Sequence, residues 1–163
     1  MFVRHSVHVD RPYADCVRAL VSSHGTWFPR LLDEVGGGDR RRLAAIGFPI
    51  AGVHVQKRVE VEIEEPSAEA ARARFSWKPT FPRRLFPEFD GQVELAPVDP
   101  EVTRVTVSGT YVPPMGAVGR SVDEAVMHRA AEATVGELAE MIGIQLELAV
   151  AEKESVSEPA EPA

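Results

Sequence analysis

The pattern that most restricts the fold lies in the C-terminal third of the sequence, where apolar residues recur at helical spacing from about Val118 to Leu148. This spacing predicts one long α-helix. The main stripe consists of Met127, Ala131, Val135, Leu138, Ile142 and Leu146, and beside it lie Val122, Val126, Ala130 and Ala133. Because the apolar arc is so wide, we expect this helix to lie across a curved sheet.

A predicted strand terminates just before this helix. Pro113 and Pro114 lack the amide hydrogen that a strand in a sheet donates, so they terminate the strand that contains Tyr111. Gly116 and Gly119 then permit the sharp reversal that brings the helix back over the sheet. We interpret these prolines and glycines as residues that shape the fold and not as an active-site motif.

Alternation of apolar and polar residues predicts strands in five other segments. These segments are residues 2–9, 53–63, 70–78, 92–98 and 104–112. The side chains expected to face inward include Val3, His5, Val7 and Val9, then Lys57 among valines, Phe75, Trp77, Val93, Leu95, Val105, Val107, Gly109 and Tyr111. A turn at Pro66-Ser67 would join the second and third segments. We expect a register in which Glu60 lies opposite Arg74 on the solvent side and Trp77 lies opposite Lys57 on the inner side. This register would pair opposite charges on the solvent side.

Two short helices are expected after the first strand. Asp10 is a candidate N-cap for the first helix, whose apolar stripe includes Cys16. We therefore interpret Cys16 as a core thiol and not as a nucleophile. The segment TWFPRLL, which begins at Thr26, predicts the second helix, with Trp27 and Phe28 packing inward.

Length and charge limit the classes of function. The 163 residues fit one domain, expected over residues 1–150, and residues 151–163 predict a disordered acidic tail. The formal net charge of -7 argues against a nucleic-acid partner, since the basic clusters at 40–42 and 83–84 are short and are interpreted as turns. The single cysteine, the absence of a basic-then-apolar leader and the absence of a membrane-spanning segment predict a cytoplasmic protein.

The order of elements and the closing residues resemble the START/polyketide-cyclase-like (SRPBCC) superfamily, which has the helix-grip fold. The residues that carry this resemblance are Asp90-Gly91, Thr103 to Tyr111, Pro113-Pro114, Gly119 and Asp123. The resemblance spans roughly residues 2–146, and its motifs are structural. It implies an α+β fold in which a curved antiparallel sheet of six or seven strands wraps around the long helix. It also implies an internal cavity for a lipid, a polyketide or an aromatic compound.

The residues expected to line this cavity are His5, Lys57, Phe75, Trp77, Val107, Tyr111, Met127 and Ala130. Lys57 is the most unusual of them, since an unpaired buried ammonium is costly. It either reaches water at the open end of the sheet or meets a polar end of the ligand, above the ring of Trp77. The segment 79–91 is either a flap at the cavity mouth, formed by Phe81, Phe86 and Phe89, or an ordinary loop pinned to the core.

Three functions remain open from the sequence. The first is binding or transport of a small hydrophobic molecule, by a monomer or a homodimer. The second is a cyclase or dehydratase whose acid/base group is His5, Lys57 or Tyr111. The third is a protein-interaction module that uses the tail or the 79–91 loop. The five histidines and the single cysteine lack the spacing of a metal site, and no nucleotide fingerprint is present, so no metal or cofactor is expected.

Overall fold

The described part of the chain contains seven strands and two helices. The structure, a computed structural model, describes residues 1–22, 25–34, 41–50, 52–80, 86–113 and 124–157. In chain order the elements are β1 (Phe2–Val9), α1 (Tyr13–Ser22), β2 (Leu31–Glu34), β3 (Arg41–Ile50), β4 (Val53–Ile63), β5 (Arg72–Pro79), β6 (Glu88–Asp99), β7 (Val102–Val112) and α2 (Glu124–Ser157). The strands form one antiparallel sheet in the order β1-β7-β6-β5-β4-β3-β2. The predicted α+β helix-grip architecture is confirmed.

The sheet buries one row of side chains from each central strand. The buried row includes Val59 and Val61 of β4, then Ala73, Phe75 and Trp77 of β5, Phe89, Val93 and Leu95 of β6, and Val105, Val107 and Tyr111 of β7. The predicted stripe of α2 covers this face, since Ala131, Val135, Leu138, Ile142 and Leu146 are all buried. The alternation in the strands and the helical spacing in α2 therefore predict correctly which side chains of the sheet and of the helix face the core.

A pair of facing glycines in β6 and β7 makes room for a large ring. Gly91 of β6 lies opposite Gly109 of β7. A β-carbon on Gly91 would lie 2.3 Å from the Phe89 ring, and one on Gly109 would lie 2.4 Å from the carbonyl oxygen of Asp90. No residue with a side chain fits at either position without a backbone shift, so both glycines are needed by the packing.

Helix α1 follows β1 as predicted. The amides of Asp15 and Cys16 donate to the carbonyl oxygen of Pro12, which closes the first turn. Cys16 is fully buried, and desolvation by burial raises the pKa of its thiol. The interpretation of Cys16 as a core residue is consistent with this environment.

The second predicted helix is not formed. Residues 25–30 make turns, and Leu31 already belongs to β2. Pro29 has no amide hydrogen to continue a helix, and Arg30 has a φ of 54°, in the left-handed region, which reverses the chain. Trp27 and Phe28 nevertheless pack inward as expected.

The sequence indicated a turn around residues 40–42. In the structure, residues 41 and 42 belong to strand β3, which pairs with β2. Arg41 and Arg42 begin β3, and Arg41 forms a 3.5 Å ion pair with Glu60 of β4. The basic residues therefore lie on a paired strand, where Glu60 is a diagonal cross-strand neighbour of Arg41. Residue 40 and residues 83–84 lie outside the described residues.

The predicted register of β4 with β5 was wrong. Glu60 lies opposite Lys78, and Val61 lies opposite Trp77, so the pairing is displaced by four residues along the partner strand. The turn occupies more residues than Pro66-Ser67, because the amide of Ala71 donates to the carbonyl oxygen of Ala68. The side-chain oxygen of Ser67 accepts from the amide of Ala70, which stabilises this longer turn.

Helix α2 extends further toward the C-terminus than predicted. Residues 151–157 are helical, so the expected disordered tail cannot begin at 151, and residues 158–163 lie outside the described residues. The last two turns contact α1 and the segment before it, since Lys153 donates to Ser22 of α1 and Glu154 lies 3.5 Å from Arg11, which precedes α1. The predicted start near 118 also lies outside the described residues. Neither described helix is long and apolar enough to span a membrane.

Candidate ligand-binding site

The inner face of the central strands carries a cluster of aromatic side chains. Its members are Trp27, Phe28, Phe48, Phe75, Trp77, Phe86 and Phe89. Trp77 stacks on Phe89 with 4.5 Å between ring centroids, and Phe75 lies 5.7 Å from Phe89. Alternation along β5 and β6 places these rings on one face, and the sheet register brings them together. We call this group the aromatic cluster.

Two indole groups of the cluster differ in their hydrogen bonding. Nε1 of Trp77 donates to the carbonyl oxygen of Pro87 at 3.3 Å, which fixes the end of the 79–91 segment to the core. Nε1 of Trp27 is buried without a hydrogen-bond partner. Trp27 packs edge-on against Phe28 and Phe75. An unsatisfied buried donor of this kind costs about 1–3 kcal/mol relative to a bonded one.

Four of the predicted cavity residues belong to the packed core. Phe75, Trp77, Val107 and Tyr111 each expose 2% of their surface or less. Burial raises the pKa of Tyr111 to about 12, so its hydroxyl stays protonated at neutral pH and cannot act as a base.

The other four predicted cavity residues are accessible. Met127, Ala130 and Lys57 are half-buried, and His5 is exposed. His5 lies on β1 against Gly136 of α2, where a β-carbon would be 3.6 Å from its ring. Lys57 lies on β4, and the strands β7, β6 and β5 separate it from β1. The structure therefore places His5 and Lys57 on opposite arms of the sheet.

The three phenylalanines expected at the cavity mouth also differ in their surroundings. Phe89 is a buried residue of β6 and not part of a flap, since its ring stacks in the aromatic cluster. Phe86 is half-buried and lies 5.7 Å from Phe48. Phe81 lies outside the described residues. The described end of the segment is therefore pinned to the core by its aromatic rings.

The side chains on the inner row of β4 become more exposed toward the tip of the β3–β4 hairpin. Val59 and Val61 are fully buried, Val55 and Lys57 are half-buried, and Val53 exposes 62% of its surface. Among the described residues, Lys57 therefore lies between the packed part and the exposed part of this row. Its Nζ lies 5.2 Å from the ring centroid of Phe86.

Helix α2 rests on both arms of the sheet, since it packs against β1 and β7 on one side and β3 on the other. Its contact with the hairpin includes Glu137, whose Oε1 lies 3.6 Å from Nδ1 of His54. Gly47 lies directly beneath this pair, and a β-carbon there would be 2.5 Å from the His54 ring. Ala130 precedes Glu137 by seven residues, two helical turns, so it lies on the same face of α2.

Four side chains of α2 and β4 are only partly buried. Met127 and Ala130 of α2 and Val55 and Lys57 of β4 are half-buried, and Met127 packs against the hydrophobic core. Val126 and Val53 are more exposed, at 38% and 62%. Partly exposed apolar side chains are the kind of surface that a small apolar ligand contacts.

The contact between Gly47, His54 and Glu137 was not identified from the sequence. Alternation placed His54 on the solvent row of β4, and nothing local indicates that a helix residue so distant in the chain covers it. A glycine between Ile46 and Phe48, two buried residues, was the available sign that another group approaches the backbone closely.

Solved structures share this fold at low sequence identity. The protein TTHA0849 from Thermus thermophilus has a TM-score of 0.55 at 20% identity, covering 97% of this chain and 100% of that chain. The ZhuI aromatase/cyclase from Streptomyces sp. R1128 has a TM-score of 0.53 at 16% identity, covering 100% and 99%. Ara h 8.0201 has a TM-score of 0.52 at 12% identity, covering 93% and 98%. No protein-family model and no curated protein matches the sequence.

Proposed function

We propose, from the helix-grip fold that this chain shares with START-like and polyketide-cyclase-like proteins, that the protein binds a small apolar molecule between α2 and the inner face of the sheet. One observation carries the proposal. Among the described residues, Met127 and Ala130 of α2 and Val55 on the inner row of β4 are only half-buried. Apolar surface that the described residues leave partly uncovered is a usual setting of a small-molecule site.

An enzyme of the cyclase type is the alternative, and the similarity in fold to the Streptomyces aromatase/cyclase is its main support. The described residues favour binding. Tyr111 is packed in the core with its pKa raised to about 12, and His5 and Lys57 stand on opposite arms of the sheet. Acid/base catalysis by two of these groups would need both within hydrogen-bonding reach of one substrate. We also propose a cytoplasmic location, from the single buried cysteine.

Two neighbouring alanines of α2 test the proposal. Ala130 is half-buried on the face of α2 that carries Glu137, whereas Ala133 is exposed. We expect the neutral fluorescent probe N-phenyl-1-naphthylamine to bind the wild-type protein saturably. Ala130→Trp places a large ring at the proposed site and should weaken binding by about tenfold or more, the loss of one good apolar contact. Ala133→Trp is the matched control and should bind the probe as the wild type does.

The thermal midpoint of each variant shows whether it is folded. The proposal is wrong if the wild-type protein does not bind the probe, or if folded Ala130→Trp binds it with unchanged affinity. Turnover of an aromatic polyketide substrate by the wild-type protein would instead support the cyclase alternative.

A further inference from the structure

A second concave region lies on the outer face of the sheet, opposite the face that α2 covers. It is a groove with a volume of about 470 Å³, lined by residues of β1, β5, β6 and β7. This volume falls within the ~300–1,000 Å³ that is usual for small-molecule sites. Its side chains belong to the outer rows of the strands, whereas the aromatic cluster lies on the inner rows. We call it the outer groove, and it shares no residue with the inner site proposed above.

The strand register arranges the lining side chains in two rows that run across the strands. Within each row, neighbouring residues are direct cross-strand partners. The first row consists of Arg74, Gln92 and Ser108, and the second consists of Asp90, Thr110 and Phe2. Gly91 and Gly109 lie between the two rows, and a β-carbon on either would point toward the Phe89 ring of the inner face. A ligand can therefore approach the sheet backbone closely between the rows.

The charged groups of the outer groove balance each other. Arg74 and Asp90 are the charged residues that line it, and Nη2 of Arg74 lies 3.9 Å from Oδ1 of Asp90. This separation is too long for a hydrogen bond, and both side chains are more than half exposed. The lining therefore has no net formal charge, and it presents a strong donor beside a strong acceptor.

Neutral hydrogen-bonding groups complete both rows. Nε2 of Gln92 donates to Oε1 of Glu94 at 3.0 Å, which holds the amide in place. Ser108 and Thr110 of β7 add one hydroxyl group each. Amides and hydroxyls both donate and accept hydrogen bonds, so they complement ligand groups that do the same. Together with the balanced charges, this favours a ligand that carries several hydroxyl groups.

An exposed aromatic ring stands at the β1 end of the outer groove. Phe2 exposes 64% of its surface, and Val112, its diagonal neighbour on β7, exposes 47%. Such a ring gains free energy when an apolar surface packs against it. The C–H faces of a pyranose ring are apolar, whereas its rim carries hydroxyl groups. A sugar can therefore lie against Phe2 and hydrogen-bond to the polar groups of the two rows at the same time.

We propose that the outer groove binds a neutral saccharide, with one pyranose face against Phe2 and hydroxyl groups bonded to Arg74, Asp90 and Gln92. An anionic ligand would gain from Arg74 but would be repelled by Asp90 and by the net charge of -7. A wholly apolar ligand would remove Arg74 and Asp90 from water without offering either a hydrogen bond. A neutral molecule that carries many hydroxyl groups satisfies both charged side chains and the ring.

Nuclear magnetic resonance titrations of the full chain test the proposal. The probes are three neutral oligosaccharides: cellotetraose, maltotetraose and mannotetraose. A shallow groove predicts a dissociation constant on the order of 1 mM, so each is added to about 10 mM. We expect at least one of them to shift the amide signals of Gly91, Gly109 and the Gln92 side chain saturably. Tetragalacturonate, an acidic oligosaccharide, is the charged comparison and should shift these signals less.

Two substitutions with matched controls assign the binding to the outer groove. Phe2→Ala removes the exposed ring and should weaken saccharide binding by about tenfold. Val98→Ala removes an exposed apolar side chain of β6 outside the groove and should bind as the wild type does. Gln92→Leu keeps a side chain of similar size without its hydrogen-bonding groups and should weaken binding about fivefold. Gln56→Leu, at an exposed glutamine of β4, is its control.

The saccharide assignment fails if none of the neutral oligosaccharides shifts the groove signals, or if folded Phe2→Ala and Gln92→Leu bind as tightly as the wild type. Tighter binding of tetragalacturonate than of the neutral probes would show that the groove selects anions. A wild-type dimer that Phe2→Ala converts to a monomer, in sedimentation velocity, would show that a second copy of the chain covers the groove.

The inner site gives an independent readout. Binding of N-phenyl-1-naphthylamine should be the same with and without saturating saccharide, because the two sites share no residue. Displacement of this probe by the saccharide would show that the sugar occupies the inner site and would overturn the proposal. Saccharide binding at the groove signals by a protein that does not bind the probe would support the outer groove while the inner binding function fails.

Discussion

Tyr111 shows how the environment of one residue changes both its chemistry and the protein's pH response. Its ring is 2% exposed, and burial raises the pKa of its hydroxyl to about 12, above the ordinary value of 10. The folded protein therefore favours the neutral phenol. The resulting stability is fully present below pH 10 and is lost as the pH rises from about 10 to about 12. Two pKa units correspond to roughly 3 kcal/mol at most.

We expect the Tyr13→Phe variant, in which Tyr111 is the only tyrosine, to show a tyrosinate absorbance midpoint near pH 12 while circular dichroism shows that the protein is folded. Tyr111→Phe should remove this component of the alkaline loss of stability, measured by denaturant unfolding as the pH is raised. A midpoint near 10 in folded protein would mean that the hydroxyl reaches solvent.

At the scale of elements, the end of α2 differs most from what its composition indicated. Residues 151–157 are poor in apolar side chains, yet they continue the helix, and Lys153 contacts α1 while Glu154 contacts Arg11 before α1. Exposed polar contacts of this kind are each worth only about 0–1 kcal/mol. The segment therefore extends an existing helix, since adding residues to a formed helix is much less costly than nucleating a new one.

Truncation measures what this segment contributes. Ending the chain at Val150 should lower the thermal midpoint by about 2–4 °C, the effect of roughly 1 kcal/mol in a protein of this size. Ending it at Ser157 is the control and should leave the midpoint unchanged, because residues 158–163 have little apolar surface to bury. An unchanged midpoint for the shorter chain would show that the last two turns add no stability.

At the scale of the whole molecule, a single core connects all parts of the described chain. The buried cluster contains residues of β1, α1, β3 to β7 and α2, together with Trp27 and Phe28 of the turn before β2. Helix α2 packs against both arms of the sheet, so neither arm can lose its cover without the other. Shared burial of this kind favours an all-or-none transition.

We therefore propose that residues 1–150 form one cooperative domain. Tryptophan fluorescence reports Trp27 and Trp77 in the aromatic cluster, whereas far-ultraviolet circular dichroism is dominated by α2. The two denaturant unfolding curves should coincide, with equal midpoints. Separated midpoints would show that α2 leaves the sheet before the aromatic cluster is lost, which would contradict a single domain.

The residue patterns were sufficient to predict which side of each strand and helix is buried, because side-chain direction depends on local backbone geometry. Alternation in β5 puts Phe75 and Trp77 on the buried side whatever their partners are, and helical spacing does the same for Leu138 and Ile142. The firm end of β7 at Val112, before Pro113, follows from chemistry within one residue. The helix-grip resemblance then supplied the order in which these elements assemble.

Register was beyond the reach of the same patterns. Displacing β5 by an even number of residues leaves every side chain on its original face, so alternation fits the expected and the observed pairings equally well. Charge complementarity did not distinguish them either, since Glu60 meets a cation in both, Arg74 in one and Lys78 in the other. The turn from Ser67 to Ala71 selected the register.

The candidate site was decided almost entirely by tertiary structure. The eight candidate residues lay on the inward rows or on and beside the stripe of α2, but only the tertiary packing separated packed ones such as Tyr111 from accessible ones such as Lys57. The contact of Glu137 with His54 over Gly47 joins residues far apart in the chain, and no local pattern encodes it. Local geometry determines which way a side chain points, whereas the distance between the helix and the sheet arms determines whether anything covers it.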